Sequence, residues 1–457
     1  MKAHLSQFWF RMRESFWFLP AMLVTLAILL ALGAGWLDRS LAESGRGLSL
    51  WFFYQGSHNA ARAMLSTIAT SMITVAGLVF SITMVVLSLT SSQFGPRLMK
   101  NFMEDRSNQF VLGVFLATFT YCLTVQGTMD GGDGGHPVRI SLTVGMVLTL
   151  GSLAVLIYFI HHMADAIQAD KLLATVGGRL EHAVRRLYPN EPPRNPLDLP
   201  RQPALPASFA KRAAPINADR SGYVLIRSLS VLLEEAEQAD LLVETLARPG
   251  DFVLQGSPLA LAWPPESLNE SRSDTLRRAF VLGRERSPVQ DVGLPLNELV
   301  EAALRGLSPG INDPFTAMTS LNWLADGLGL LAGREMPPTA YYDGRNELRV
   351  IARPVTLVDL ADTALHQLRP VVAAQPAVTE HLMVLLAGLA PVLCRLEDVD
   401  CLLRHVNLLL ADARQNAAQA ADRARLERKA HEAVTALEQA RQSLTRAGDE
   451  SSREEPQ

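Results

Sequence analysis

Four apolar stretches in the first 160 residues are each long enough to cross a bilayer as a helix, which leaves few folds open to this chain. A hydrocarbon core needs about 20 mostly apolar helical residues. The windows Phe18–Leu37, Met64–Leu89, Phe110–Gln126 and Val138–Ile160 qualify. The last three hold no charged side chain except Arg139, which at a window edge can snorkel to the interface. Phe8, Trp9, Phe10, Phe16, Trp17 and Phe18 lead into the first window, and no small-residue cleavage site follows it. It therefore reads as a retained helix entered through an aromatic belt rather than a signal peptide.

Basic residues orient the four helices. Lys2, Arg11 and Arg13 precede the first, Arg97, Lys100 and Arg106 fill the second loop, and Lys171, Arg179, Arg185 and Arg186 follow the fourth. The first loop has Arg39, Arg46 and Arg62 spread thinly, while the third, Asp130–His136, is acidic and has no Lys or Arg. The positive-inside rule then puts both termini in the cytoplasm and Asp130–His136 outside. That loop lacks the alternating oxygens and terminal Glu of a calcium site, so it reads as a flexible turn. His161, His162 and Asp165, at the inner end of the fourth helix, read as a solvated interfacial cluster.

The second helix carries Thr67, Thr74, Ser81 and Ser88 at seven-residue intervals, with Thr70, Gly77, Met84 and Ser91 in the neighbouring row, so that most of the stripe is small or hydroxylated. Such a stripe of small or hydroxylated side chains has two readings. One is close helix–helix packing, which small residues permit in lipid. The other is a pore lined by the same helix from several subunits, with Thr67, Thr70, Thr74, Ser81 and Ser88 facing water. The row holds no charge that would set ion selectivity.

Beyond the membrane windows the composition turns polar. A helix is expected from Ala164 to Leu187, then a proline-rich linker over residues 189–217. Residues 218–265 read as a small β-rich element with strands at Gly222–Ile226 and Leu241–Leu246 and one or two helical turns at Val231–Ala239. There Gly250-Asp251, Val253, Gly256 and Leu259 resemble half of a lipoyl/biotinyl-type motif, without the lysine that carries its cofactor. Residues 266–410 read as mostly helical, with a short turn at Tyr341-Tyr-Asp-Gly344, one strand at Leu348–Ile351 and helices at Leu357–Leu368 and Pro376–Val392. A single long helix is expected over Val399–Leu444, its alanine-rich face suited to a solvated bundle or to a coiled coil joining subunits. Residues 411–457 comprise most of that helix and a polar tail, Ala447–Gln457, expected to be disordered. The expected fold is thus a four-helix membrane unit followed by an α+β cytoplasmic domain with a helical C-terminal part.

One segment is specific enough to carry a family resemblance: Gly283-Arg-Glu-Arg-Ser-Pro-Val-Gln-Asp-Val-Gly293, then Leu299-Val-Glu-Ala-Ala-Leu-Arg-Gly-Leu-Ser-Pro-Gly-Ile-Asn-Asp-Pro-Phe-Thr-Ala317. With Leu87–Arg97, Arg248–Val253 and Leu348–Ile351, it resembles a bacterial membrane-protein family defined by a domain of unknown function (DUF2254), up to about Leu410. Gly306 stands where that family would have Ala. The resemblance implies a four-helix inner-membrane unit with a soluble C-terminal domain, and no established activity.

Read physically, Ser308-Pro309-Gly310 ends an apolar helix, and Asn312 or Asp313 caps the next with Pro314 at its first position. A helix N-terminus also offers free N–H groups to an anion. Arg284, Asp291, Arg305, Asn312, Asp313 and Thr316 are therefore candidate anion-binding residues, and Gln290 and Asp291 could instead cap a helix or pair with Arg305. No nucleotide loop, catalytic triad or zinc-protease motif occurs, so no enzyme is expected. The three cysteines, Cys122, Cys394 and Cys401, show no CxxC or Cys/His ligand spacing. No cofactor, metal or disulfide is expected. A net charge of −4 gives no reason to expect nucleic acid. The expected partners are the lipid bilayer, further copies of the chain and a small ion. Two functions stay open: an oligomeric ion channel or transport pore with a cytoplasmic vestibule, or a membrane-anchored sensor or scaffold.

Overall fold

The computed structural model describes residues 17–43, 57–94, 106–129, 138–166, 168–190 and 205–454, which form two compact units divided after Gln168. The Asp130–His136 loop lies outside the described residues.

The first unit consists of α1 (Phe18–Glu43), α2 (His58–Phe94), α3 (Arg106–Thr128) and α4 (Arg139–Ala166). Each is long and apolar enough to span a membrane. The third helix is the most buried and packs on the other three. Gly113 lets α1 approach α3 closely, since a Cβ there would lie 3.1 Å from Pro20 Cα. Polar contacts gather the ends of all four helices. Asp38, near the end of α1, accepts hydrogen bonds from the backbone N–H groups of Ile140 and Ser141, each 2.9 Å, and from the Ser141 hydroxyl at 2.7 Å. It caps the N-terminus of α4 from another helix, where a carboxylate meets the positive end of the dipole. Arg39 donates to Thr128 O and Arg62 to Met129 O at the same end, and the Tyr121 hydroxyl donates to Ser141 O.

Asp38 is buried. Asp38→Ala is expected to strand three donors, at about 1–3 kcal/mol each, and to lower the thermal midpoint of the detergent-purified protein. Asp38→Asn, which keeps an acceptor, should recover part of that loss. A wild-type midpoint in Asp38→Ala would mean that the cap contributes nothing.

The second unit opens with α5 (Ala169–Leu187). The single helix expected from Ala164 is thus divided, where the apolar span gives way to an amphipathic face with Asp170 in its first turn. After α6 (Phe209–Arg212) come β1 (Ala214–Asn217), β2 (Gly222–Arg227), α7 (Leu229–Gln238), β3 (Leu242–Thr245), β4 (Phe252–Val253), β5 (Pro258–Trp263), α8 (Glu270–Arg278) and β6 (Phe280–Gly283). Two further strands, β7 (Ala340–Tyr342) and β8 (Leu348–Ile351), follow much later in the chain.

These strands form a five-stranded sheet of order β1-β5-β3-β8-β7 and a three-stranded sheet of order β4-β2-β6. One core, with Ile216, Val224, Leu232, Val243, Leu259, Leu276, Phe280 and Val350, is shared by both sheets and by α7 and α8. Three expectations are corrected here. Residues 214–217, which composition puts in the linker, form the edge strand β1, where Pro215 is tolerated. The β-rich element does not end at residue 265, because β8 pairs with β3 in parallel and draws β7 in with it. The Tyr-Tyr segment is strand β7 rather than turn, and the turn lies beyond it with Asn346 at φ 62°.

Helices α9 (Gly293–Gly306), α10 (Pro314–Ala332), α11 (Leu357–Val372), α12 (Pro376–Gly388), α13 (Leu396–Asn416) and α14 (Ala420–Glu454) complete the second unit. The long helix expected over Val399–Leu444 is a hairpin instead. Ala417 leaves the helical conformation, and α14 returns along α13, with Arg414 pairing Glu427 and Arg441 pairing Asp400. Leu426, Ala430, Ala433 and Leu437 are buried within the chain, so this face is used in its own bundle and not in a coiled coil between subunits. The tail expected to be disordered is helical as far as Glu454.

Candidate functional site

On α2 the structure separates two faces that the sequence leaves ambiguous. Leu65, Ala69, Met72, Ala76, Val79, Thr83, Val86 and Thr90 are buried against the rest of the four-helix unit. At 100° per residue these positions lie on the side of the helix opposite the hydroxyl row. Thr67, Thr70, Thr74, Gly77, Ser81 and Ser88 are all exposed on the outer surface of the unit. A Cβ added at Gly77 would meet nothing within 4 Å. The Thr67 and Thr74 hydroxyls donate to the carbonyls of Ala63 and Thr70 one turn earlier, which satisfies them without any neighbour. Packing within its own bundle is therefore not the use of this row. The same outward surface also exposes Met84 and Val85, the latter in line with Thr67 five turns away, between apolar flanks at Ile73, Phe80, Ile82 and Leu89.

The signature residues in the second unit resolve into separate local structures. Asp313 is the N-cap of α10: its Oδ1 accepts from Phe315 N and Thr316 N at 3.1 Å each, and its Oδ2 from the Thr316 hydroxyl at 2.6 Å. Asn312 precedes it at φ 50°, and Asp313 N donates to Gly306 O at 2.7 Å. That tight crossing explains Gly306, where a Cβ would stand 3.0 Å from Asp313 O. The Thr316 hydroxyl first, and the two backbone N–H groups after it, hold the Asp313 carboxyl below its ordinary range. The cap's contribution is fully present above the unfolded pKa of about 3.9 and is lost as pH falls on through the lower folded-state pKa. Asp313→Ala should cost about 0.5–2 kcal/mol at neutral pH, measured by chemical denaturation, and progressively less as the medium is made acid. An equal cost in neutral and acid medium would mean that the carboxylate is not what stabilises this turn.

The other candidates have their own partners. Asp291 is buried and takes a two-point ion pair from Arg286, at 2.6 and 2.8 Å. Gly250, at φ 95°, is pressed against it, since a Cβ there would fall 2.7 Å from Asp291 Cγ. Only glycine meets both demands. Gln290 accepts from Arg227 N at 2.8 Å, so neither Gln290 nor Asp291 serves Arg305, which pairs with Glu301 instead. Arg248, two residues before Gly250, pairs with Asp359 at 2.9 Å. Arg284 is exposed. The donors at the head of α10 are thus occupied by Asp313 itself and the neighbouring guanidinium groups are matched by carboxylates. These residues join the Arg248–Asp251 turn, the Arg286–Asp291 segment and α11, and they do not converge on one anion site.

Two features escape the sequence reading. Asp38 reads as an ordinary interfacial acid until α4 is placed beside it. Asp362, Cys401 and His405 have donor atoms all within 4.8 Å of one another, and the one-turn spacing of Cys401 and His405 is the signal in the sequence that could have found them.

The chain matches the family model described as "Predicted membrane protein (DUF2254)" over residues 13–388. The chain belongs to the DUF2254 family. The DUF2254 match stops at α12, short of the Leu410 limit expected from the resemblance. Similar proteins, each bearing the description uncharacterized protein, occur in Mycobacterium bovis and in two strains of Mycobacterium tuberculosis. Each is 30% identical over 380 residues, covering 82% of this chain and 71% of the relative. No solved structure matches.

Proposed function

We propose that this DUF2254 protein is the subunit of a homo-oligomeric inner-membrane pore. In it α2 lines an axial path for a small ion, both termini are cytoplasmic, and the second unit is a cytoplasmic vestibule or regulatory domain. The observation that carries this reading is the outward row of Thr67, Thr70, Thr74, Gly77, Ser81 and Ser88, opposite the face that α2 buries in its own unit. Hydroxyls that bond back to their own helix can face water as readily as a close neighbour, and a ring of such rows gives a polar, uncharged path. The reading involves no catalytic step. Reconstituted in planar bilayers, the protein should pass ions under voltage, membrane tension or a pH change. Silence under all three would remove the pore.

A second reading, a membrane-anchored sensor or scaffold, is favoured by a groove of about 880 Å³ in the second unit. Asn322, Asp326, Arg334, Val384 and Leu389 are among its lining residues, a mixed surface suited to a small ligand. This reading predicts that a bound small molecule raises thermal stability while the bilayers stay silent.

A further inference from the structure

Helices α11 and α13 run side by side in the same direction, with Asp362 opposite Arg404 and His405 and, two turns on, Arg369 paired to Asp412 at 2.5 Å. Each presents two metal-type donors one helical turn apart: Asp362 and His366 on α11, Cys401 and His405 on α13. Around Asp362 Oδ1 stand His405 Nε2 at 2.7 Å, Cys401 Sγ at 3.7 Å and His366 Nε2 at 3.8 Å. The two imidazole rings meet edge-on, 4.9 Å apart. Bonds of about 2.0–2.3 Å to a tetrahedral ion hold donor atoms roughly 3.3–3.8 Å from one another. The donors of Asp362, Cys401 and His405 already lie within 4.8 Å of one another; the His405–Asp362 contact has to lengthen, and His366, 3.8 Å from Asp362, has to turn inward to complete the set.

Burial and charge point the same way. Cys401 is buried, the His405 side chain is 1% exposed, and His366 lies half in solvent at the mouth of the group. His405 turns its Nε2, the nitrogen that would ligate, into the group against Asp362 Oδ1. A cation already serves it: Arg404 reaches Asp362 Oδ1 at 2.5 Å and Cys401 Sγ at 3.5 Å from a side chain that is half exposed. That guanidinium can swing into water when a smaller, doubly charged ion takes its place.

We propose that Asp362, His366, Cys401 and His405 form a binding site for a divalent transition-metal ion of the zinc class, which would clamp α11 to α13. One sulfur, two imidazole nitrogens and one carboxylate suit zinc or cobalt, whereas magnesium and calcium take oxygen ligands. Burial, with Asp362 beside it, pushes the Cys401 thiol up to about 12, so it is neutral until a metal binds. Binding then releases the thiol proton to solvent, and the thiolate and carboxylate balance the charge of the ion. Cys401 and His405 lie beyond residue 388, where the family match ends, so the family match does not imply the site.

Untagged full-length protein in detergent, reduced and stripped with a chelator, is titrated with Co²⁺ alone. One equivalent should give the intense visible bands of tetrahedral cobalt and a near-ultraviolet thiolate charge-transfer band, both abolished by Zn²⁺. Cys401→Ser should lose the charge-transfer band, and His405→Gln should bind at least about tenfold more weakly. Arg404→Ala should keep the spectrum and bind at least as tightly, because it removes the competing cation, an outcome that a purely structural Asp–His–Arg network would not give. Wild-type protein without a charge-transfer band, or the same band in Cys401→Ser, would overturn the proposal. That pair decides the matter even if His405→Gln fails to fold.

Discussion

Gly177→Val is expected to destabilise the second unit severely, while Gly178→Ala, one residue away, is expected to stabilise it. Gly177 is buried on α5, and a Cβ added there would fall 2.5 Å from Cε3 of Trp323 on α10. The rigid indole cannot yield by rotating a terminal methyl, so the ring or the whole helix must move. Gly327 of α10 receives Leu180 of α5 in the reverse sense, a Cβ there lying 2.3 Å from Leu180 Cδ2. Each helix thus presents a notch to a large side chain of the other. Overpacking a close contact costs about 1–3 kcal/mol and more where nothing can relax. A valine adds three carbons at this site, so its cost should lie at or above the top of that range. Gly178 is exposed, and a Cβ there would meet nothing within 4 Å. Alanine at 178 should gain about 0.5–1 kcal/mol from helix propensity alone. Thermal unfolding of the two variants checks both signs at once. Equal behaviour of the pair would mean that the notch is not what seats α10 on α5.

Ser81→Leu is the second large effect, expected in conduction rather than in folding. Ser81 is exposed on the far side of α2 from the face packed on α3 and α4. A leucine there meets no side chain of its own subunit, so the monomer fold should be unchanged. If the row lines a wet axis, the leucine ring adds an apolar constriction and should cut current by more than about tenfold while assembly persists. If the row is instead a tight contact between subunits, the same leucine should disperse the oligomer. Size-exclusion chromatography with light scattering, run beside single-channel recording, separates the two. Intact assembly with full current would mean that the row is turned to lipid.

The membrane unit was legible in the sequence because length and hydropathy decide a membrane span almost unaided. Three of the windows lie within observed helices, and the fourth begins one residue before α4. The Asp313 cap and the glycine turn at Gly250 were legible for a related reason: each is a local rule carried by two or three adjacent residues. What escaped was non-local. The β3–β8 pairing joins residues more than 100 positions apart, and nothing in either short strand names its partner. The α13–α14 hairpin turns at Ala417-Ala-Gln-Ala420, without glycine or proline, so the helical pattern runs through it unbroken. Asp362 and Cys401 come together only once α11 lies beside α13. The direction of the hydroxyl row was likewise undecidable from periodicity, which gives the existence of a face but not what it faces.

The central claim, that copies of this chain assemble with α2 innermost, is tested most directly by a symmetry-averaged electron-microscopic reconstruction of the full-length protein in a lipid nanodisc. The account predicts a closed ring of copies around a continuous axial path, with Thr74 and Ser81 the side chains nearest the axis. A monomer, or a ring in which Thr74 and Ser81 face the surrounding lipid, would contradict it.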